Sequence, residues 1–140
     1  PNDGSNETRA LLLLQQEGLI TLKEGITAAS NATVLDIESY NVNVTIQEME
    51  AAQLAQALPG IAMAVINGNY ALQGGLNAGT DALAIEAADG DAAQEYGNIL
   101  AVKEGHENDP AILALIDVLH SDTIRDYINN TYSGAVVPTF

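Results

Sequence analysis

Residues 61–66 read IAMAVI, six apolar residues without a break, and the run stops at Asn67-Gly68-Asn69. A run of this length and continuity is the signature of a strand covered on both faces, as in a parallel sheet flanked by helices. Residues 98–102, NILAV, form a second such strand, and residues 82–87 are another apolar run. Residues 43–49 alternate Val44 and Ile46 with Thr45 and Gln47 and read as a further strand rich in β-branched side chains.

Helical signals lie between these runs. Residues 10–17 are strong helix formers, with Ser5 or Asn6 available as a cap, Glu7 in the positive first turn, and Gly18 where a left-handed closing residue belongs. Residues 50–58 form a helix closed by Pro59-Gly60, and a short helix over 70–73 precedes Gly74-Gly75. Asp109-Pro110 opens a helix in the favoured way, and its Ile112, Leu113, Leu115, Ile116 and Leu119 cover one broad face. Ser121 caps a second helix through Asn130, and the tail is extended. Residues 33–37 fit a short strand or a helix start equally, and residues 88–97 read as a loop with one helical turn. Alternating strands and helices predict an α/β class with parallel pairings.

The chain of 140 residues has one domain's worth of core-forming side chains, 47% of it hydrophobic. Nineteen acids stand against four bases, a net charge of −15, which argues against nucleic acid or an anionic membrane as the main partner. The acids are scattered, as on the solvated surface of a salt-tolerant or extracellular protein. Without Cys there is no disulfide, thiolate metal site or Cys nucleophile. No apolar run approaches the ~20 residues of a membrane span. The opening Pro-Asn-Asp-Gly has no signal-peptide features, which a processed chain would also lack.

Chemistry-bearing patterns are sparse. His106 lies in a polar loop and His120 near a helix end, and no Gly-x-Ser-x-Gly elbow accompanies them, so a hydrolase is not expected. His106 and Glu107 lack the spacing of a zinc helix, and residues 89–95 lack the register of a calcium loop. Gly74-Gly75 has no Lys-Ser/Thr after it, which leaves no phosphate cradle. Asn-x-Ser/Thr triplets at Asn6, Asn31, Asn43 and Asn129 are what an Asn- and Thr-rich chain produces by chance. No enzyme activity, metal or cofactor is expected.

Any anion held by a side-chain cation must use Arg9, Lys23, Lys103 or Arg125. Arg9 stands immediately before Ala10 and a run of four leucines, and a guanidinium can grip a carboxylate through two parallel hydrogen bonds. Asn67 directly follows one apolar strand and Asn98 opens another. Ligands of open α/β sheets bind at strand ends, and an amide offers both donor and acceptor to the head of an amino acid.

These stretches also carry a family resemblance. PNDGSNETRALLLLQQEGLITLKEG at the start, IQEMEAAQLAQALP at 46–59, AMAVINGNYALQGGL at 62–76, YGNILAV at 96–102 and the closing SGAVVPTF resemble the NlpA-type methionine-binding lipoproteins of bacterial ABC importers. The resemblance covers essentially all of this chain and the C-terminal part of the family, whose members carry a lipidated Cys, a linker and a further segment upstream. It implies a type 2 periplasmic-binding-protein-like α/β fold whose two lobes close on a ligand by hinge motion. Residues 1–68 would belong mostly to the second lobe, 69–85 to the hinge and crossover, and 86–140 to the C-terminal part of the first lobe. Arg9 would clamp the ligand α-carboxylate, Asn67 and Asn98 would hydrogen-bond its carboxylate or amino group, and Tyr70 would stand nearby. The implied protein binds L-methionine or a related amino acid outside the cytoplasm, in the periplasm or at the cell surface, lipid-anchored and delivering to a membrane permease. The alternative is an acidic interaction module without a small-molecule ligand, self-associating through an exposed sheet edge.

Overall fold

The computed structural model describes residues 1–87, 90, 95–132, 134 and 136–140. Helix α1, Gly4–Gln16, is longer at its start than its strongest formers suggest. Its cap is Asp3, whose carboxylate accepts from Asn6 N, in place of the expected Ser5 or Asn6. The end is a Schellman closure: Leu19 N donates to Leu14 O and Gly18 N to Gln15 O, both at 2.9 Å, with Gly18 at φ 72°.

Strand β1, Ile20–Leu22, leaves this turn and pairs antiparallel with β2, Ile37–Tyr40, in a two-stranded ladder. A 3₁₀ turn over Val34–Asp36 leads into β2, boxed by Thr33 and Asp36. The ambiguous residues 33–37 are thus a helical turn entering a strand.

Leu11, Ile20, Leu22 and Ala32 form the core, with Leu12, Leu14, Ile26, Ile37 and Ile46 packed against them. Thr8 is fully buried and fastens the 30–32 loop to α1. Its Oγ1 accepts from Ala32 N at 2.8 Å and lies within hydrogen-bond distance of Ser30 O and Gly4 O, which compete for its one proton. Gln15 Oε1 accepts from Leu22 N at 2.7 Å and ties the helix end to β1.

Downstream the chain is helical over Ala51–Gly60, as 3₁₀, α and 3₁₀ turns in succession, and over Gly68–Gln73 and Ala78–Asp81. Pro110–Leu119 and Asp122–Tyr132 are the last helices, with Ser121 Oγ accepting from Ile124 N as a cap. No helix among the described residues is long and apolar enough to cross a membrane.

The parallel sheet expected from the apolar runs is not formed among the described residues, whose one ladder is antiparallel. Residues 43–49, 61–66 and 98–102 make no strand pairing there. The physical reason is the lack of a neighbour: a ladder needs a second strand, and Ile61, Met63 and Leu100 are exposed, Ile99 to 87%. Among the described residues, all buried side chains lie between Glu7 and Leu54. The Pro110–Leu119 helix, apolar as predicted, leaves Leu113, Leu115, Val118 and Leu119 exposed. Of the loop expected over 88–97, residues 88, 89 and 91–94 lie outside the described residues, as do 133 and 135 near the tail.

Candidate functional site

Helix α1 presents Asn6 and Arg9 three residues apart, on one face. The polarity of this face is set at its cap. Asp3 can only accept, so Asn6 Nδ2 donates to Asp3 Oδ1 at 2.8 Å. Asn6 Oδ1 must then point the other way, where it accepts from Asn67 Nδ2 at 2.8 Å and from Arg9 Nη1 at 3.4 Å. Asn67 is consequently held with its amide nitrogen toward Asn6 and its oxygen away. That oxygen, Asn67 Oδ1, is buried and has no hydrogen-bond partner among the described residues. Although Asn67 precedes the Gly68–Gln73 helix, its side chain does not cap it.

The same helix face carries an ion pair to a distant segment. Arg9 Nε donates to Glu86 Oε1 at 3.1 Å and Nη2 to Glu86 Oε2 at 2.6 Å, a two-point grip between side chains 31% and 30% exposed. The hydrogen-bonded Glu86 carboxylate holds the Arg9 guanidinium above its ordinary pKa. Tyr96 lies under the guanidinium, 5.2 Å from ring centroid to Cζ, and its hydroxyl donates to Ala28 O at 2.6 Å. Beside Glu86 opens a cleft of about 250 Å³ lined by Leu12, Leu13, Ile26 and Ala28, among others. The Arg9–Glu86 pair thus borders a hollow lined largely by apolar side chains.

The structure brings together two of the four sequence-predicted residues, Arg9 and Asn67, through Asn6. Tyr70 follows one turn later on the Gly68–Gln73 helix, half-buried and with no side-chain hydrogen bond among the described residues. Asn98 is exposed, two positions beyond Tyr96, and likewise makes none there. Asn6, Glu86 and Tyr96 carry weaker sequence signals. Asn6 sits one helical turn before Arg9, Glu86 is the one acid in the apolar run 82–87, and Tyr96 shares a short motif with Asn98.

Elsewhere, His106 Nδ1 lies 2.7 Å from Asp109 Oδ2 in an exposed local pair. Among the described residues no three His, Asp or Glu side chains gather as a metal-binding group.

The family model described as NlpA lipoprotein matches residues 1–140. A solved lipoprotein from Ruminococcus gnavus is 54% identical with a TM-score of 0.83, and the match covers 100% of this chain and 57% of that one. A periplasmic substrate-binding protein of an ABC transporter from Coxiella burnetii is 39% identical with a TM-score of 0.81, covering 99% of this chain and 56% of that one. A nutrient-binding protein from Burkholderia cenocepacia, solved bound to methionine, is 36% identical with a TM-score of 0.77, covering 100% and 57%. The chain spans about half the length of the curated relatives it matches, 49% in each of the first four.

Proposed function

The chain belongs to the NlpA lipoprotein family, and from that premise we propose that it forms half of an extracytoplasmic substrate-binding protein that captures an L-amino acid, methionine foremost, for an ABC importer. The observation that carries this reading is that Arg9 and Asn67 share the acceptor Asn6 Oδ1 while Asn67 Oδ1 itself stays buried without a partner among the described residues. Arg9 already holds a carboxylate, that of Glu86, in two-point geometry and stands over an aromatic ring. Two of its five N–H donors go to Glu86 and one to Asn6, which leaves two for a ligand carboxylate. The protein binds its ligand without altering it, a reading supported by its likeness to a substrate-binding protein and to a nutrient-binding protein solved with methionine.

Residues 1–68 serve as most of one lobe, 69–85 as hinge and crossover, and 86–140 as part of the other. The distribution of burial supports this division. The first stretch has its own core, whereas the described residues after 86 bury no side chain and expose Ile99, Leu100, Leu113 and Leu115. The other half of the family's length covers that apolar surface and supplies the rest of the ligand side-chain pocket. Asn98 and Tyr70 line the cleft when the lobes close. A lipid anchor on that other half holds the protein at the membrane, near the permease.

Ligand-dependent thermal stabilisation of the full-length protein tests the reading, because a ligand that binds only the folded state raises its stability with concentration. L-methionine is expected to raise Tm, and Arg9→Ala to weaken binding by about 30-fold or more, the worth of a charge-assisted hydrogen-bond pair in a closed cleft. Undiminished binding by Arg9→Ala sinks the carboxylate clamp, and no response to any amino acid sinks the binding-protein reading.

A further inference from the structure

We propose that Tyr96 is a positioning residue for Arg9: its ring covers one face of the guanidinium, its hydroxyl is tethered to the first core at Ala28, and the two contacts set the plane in which Arg9 reaches a ligand. This rests on the amino-acid-binding reading above and adds to it a residue that acts through Arg9.

The need for such a residue follows from the way Glu86 grips Arg9. Its carboxylate takes the Nε–Nη2 edge of the guanidinium, at 3.1 and 2.6 Å. Two parallel bonds along one edge fix where that edge lies, but they also form an axis about which a planar group can tilt. The Nη1–Nη2 edge, the one left for a second carboxylate, swings with that tilt. Asn6 Oδ1 accepts from Nη1 at 3.4 Å, a long bond that restrains the swing weakly.

Tyr96 blocks the tilt on one side. Its ring centroid lies 5.2 Å from Arg9 Cζ, within the distance at which a guanidinium is drawn to an aromatic face. A free ring would move with the guanidinium. This ring is held, because its hydroxyl donates to Ala28 O at 2.6 Å. Ala28 is 4% exposed, so the tether ends on a fixed part of the molecule. Tyr96 itself is 36% exposed and stands outside the core cluster of the described residues, so it contributes through these two contacts more than through burial.

The tether also reaches across the chain. Tyr96 and Ala28 are 68 residues apart, and Arg9 and Glu86 are 77 apart, so both contacts join the segment that begins at 86 to the first core. Asn98 stands two positions after Tyr96. Two residues span at most about 7 Å. Fixing Tyr96 beneath Arg9 therefore limits where Asn98 lies relative to Arg9 as well.

The test uses the full-length protein stripped of co-purified amino acid and titrated calorimetrically with L-methionine. Tyr96→Leu removes ring and tether and is expected to weaken binding about 10-fold, the worth of a partly desolvated cation–π contact. Tyr96→Phe keeps the ring and loses only the tether, and should weaken binding about 3-fold, recovering part of what Leu loses. The same Tyr96→Leu change is then made in an Arg9→Lys protein, whose ammonium is a point charge without a plane to set. There it should cost less than about 3-fold. A merely structural role for Tyr96 would lower affinity equally in both backgrounds, and that result overturns the proposal. Unchanged affinity in Tyr96→Leu overturns it too, as does a loss in Tyr96→Phe as large as in Tyr96→Leu. Thermal unfolding checks that each variant is folded, and Tyr96→Phe, which differs by one oxygen, carries the test if Tyr96→Leu does not fold: unchanged affinity there overturns the tether. Wild-type protein that binds neither L-methionine nor any other amino acid overturns the binding-protein reading and this proposal with it. Wild-type protein that binds methionine with no coupling between Tyr96 and Arg9 overturns only this proposal.

Discussion

Asn6 and Asn67, 61 residues apart, meet side chain to side chain at 2.8 Å, and the direction of that bond is dictated by Asp3. An amide on α1 thereby sets which atom a second amide, at the end of an apolar run, turns toward the site. Asn6→Ala removes the acceptor that Asn67 Nδ2 and Arg9 Nη1 share. The expected outcome is a loss of about 1 kcal/mol of stability by chemical denaturation. Ligand affinity should fall about 10-fold in the full-length protein, because the Asn67 amide is no longer held in one orientation. Unchanged affinity would show that Asn67 needs no orienting partner.

The buried hydroxyl of Thr8 supports the same platform from below. Thr8→Val keeps shape and volume but leaves the Ala32 N–H without its acceptor in a fully buried place. The expected cost is about 1–3 kcal/mol in denaturant unfolding. Thr8→Ser retains the hydroxyl and should cost clearly less. Equal costs for the two variants would mean that the methyl group, not the hydrogen bond, holds the 30–32 loop to α1.

Gly18 ends the platform helix in a left-handed conformation, with φ 72° and open space where a Cβ would stand. Gly18→Ala is therefore expected to destabilise by about 1–2 kcal/mol through backbone strain alone. Gly18→Asn, whose side chain tolerates that conformation, should cost less. A difference of less than a few tenths between Ala and Asn in thermal unfolding would contradict the strain account.

Helix α1, its Gly18 closure and the Ser121 cap are legible in sequence because each depends on residues adjacent in the chain. Arg9 is legible for a different reason, its scarcity: with two arginines in the chain, one placed beside an apolar run needs a partner. The parallel pairings read from the apolar runs are not formed among the described residues. IAMAVI states that its environment is apolar, not which strand provides it, and no described residue pairs with it. A chain spanning about half its relatives' length has half of those environments to offer. Glu86 and Asn6 escape notice because a single acid in an apolar run, or an Asn in a first turn, says nothing of a partner tens of residues away.

Among the described residues, the acid least suited to its surroundings is Glu7. Its side chain is buried on α1, accepts from Val34 N at 3.1 Å, and faces the Glu48 carboxyl and the Pro1 amino group. Burial first, then the hydrogen bond and repulsion from Glu48, push its carboxyl up from 4.5 to about 7, against the pull of the Val34 N–H and the Pro1 charge. A carboxyl whose folded pKa exceeds its unfolded value binds a proton more tightly when folded. Its contribution to stability is therefore complete below about 4.5 and is lost as pH rises toward about 7. Across that window, folding stability should tilt downward with pH by up to about 1.4 kcal/mol per unit from this group. Glu7→Gln keeps an acceptor for Val34 N and removes the titration, so it should flatten the tilt and stabilise the chain at neutral pH. Urea unfolding of both proteins at intervals between pH 4.5 and 7 measures the difference directly. Parallel stability profiles for wild type and Glu7→Gln would place the titrating proton elsewhere.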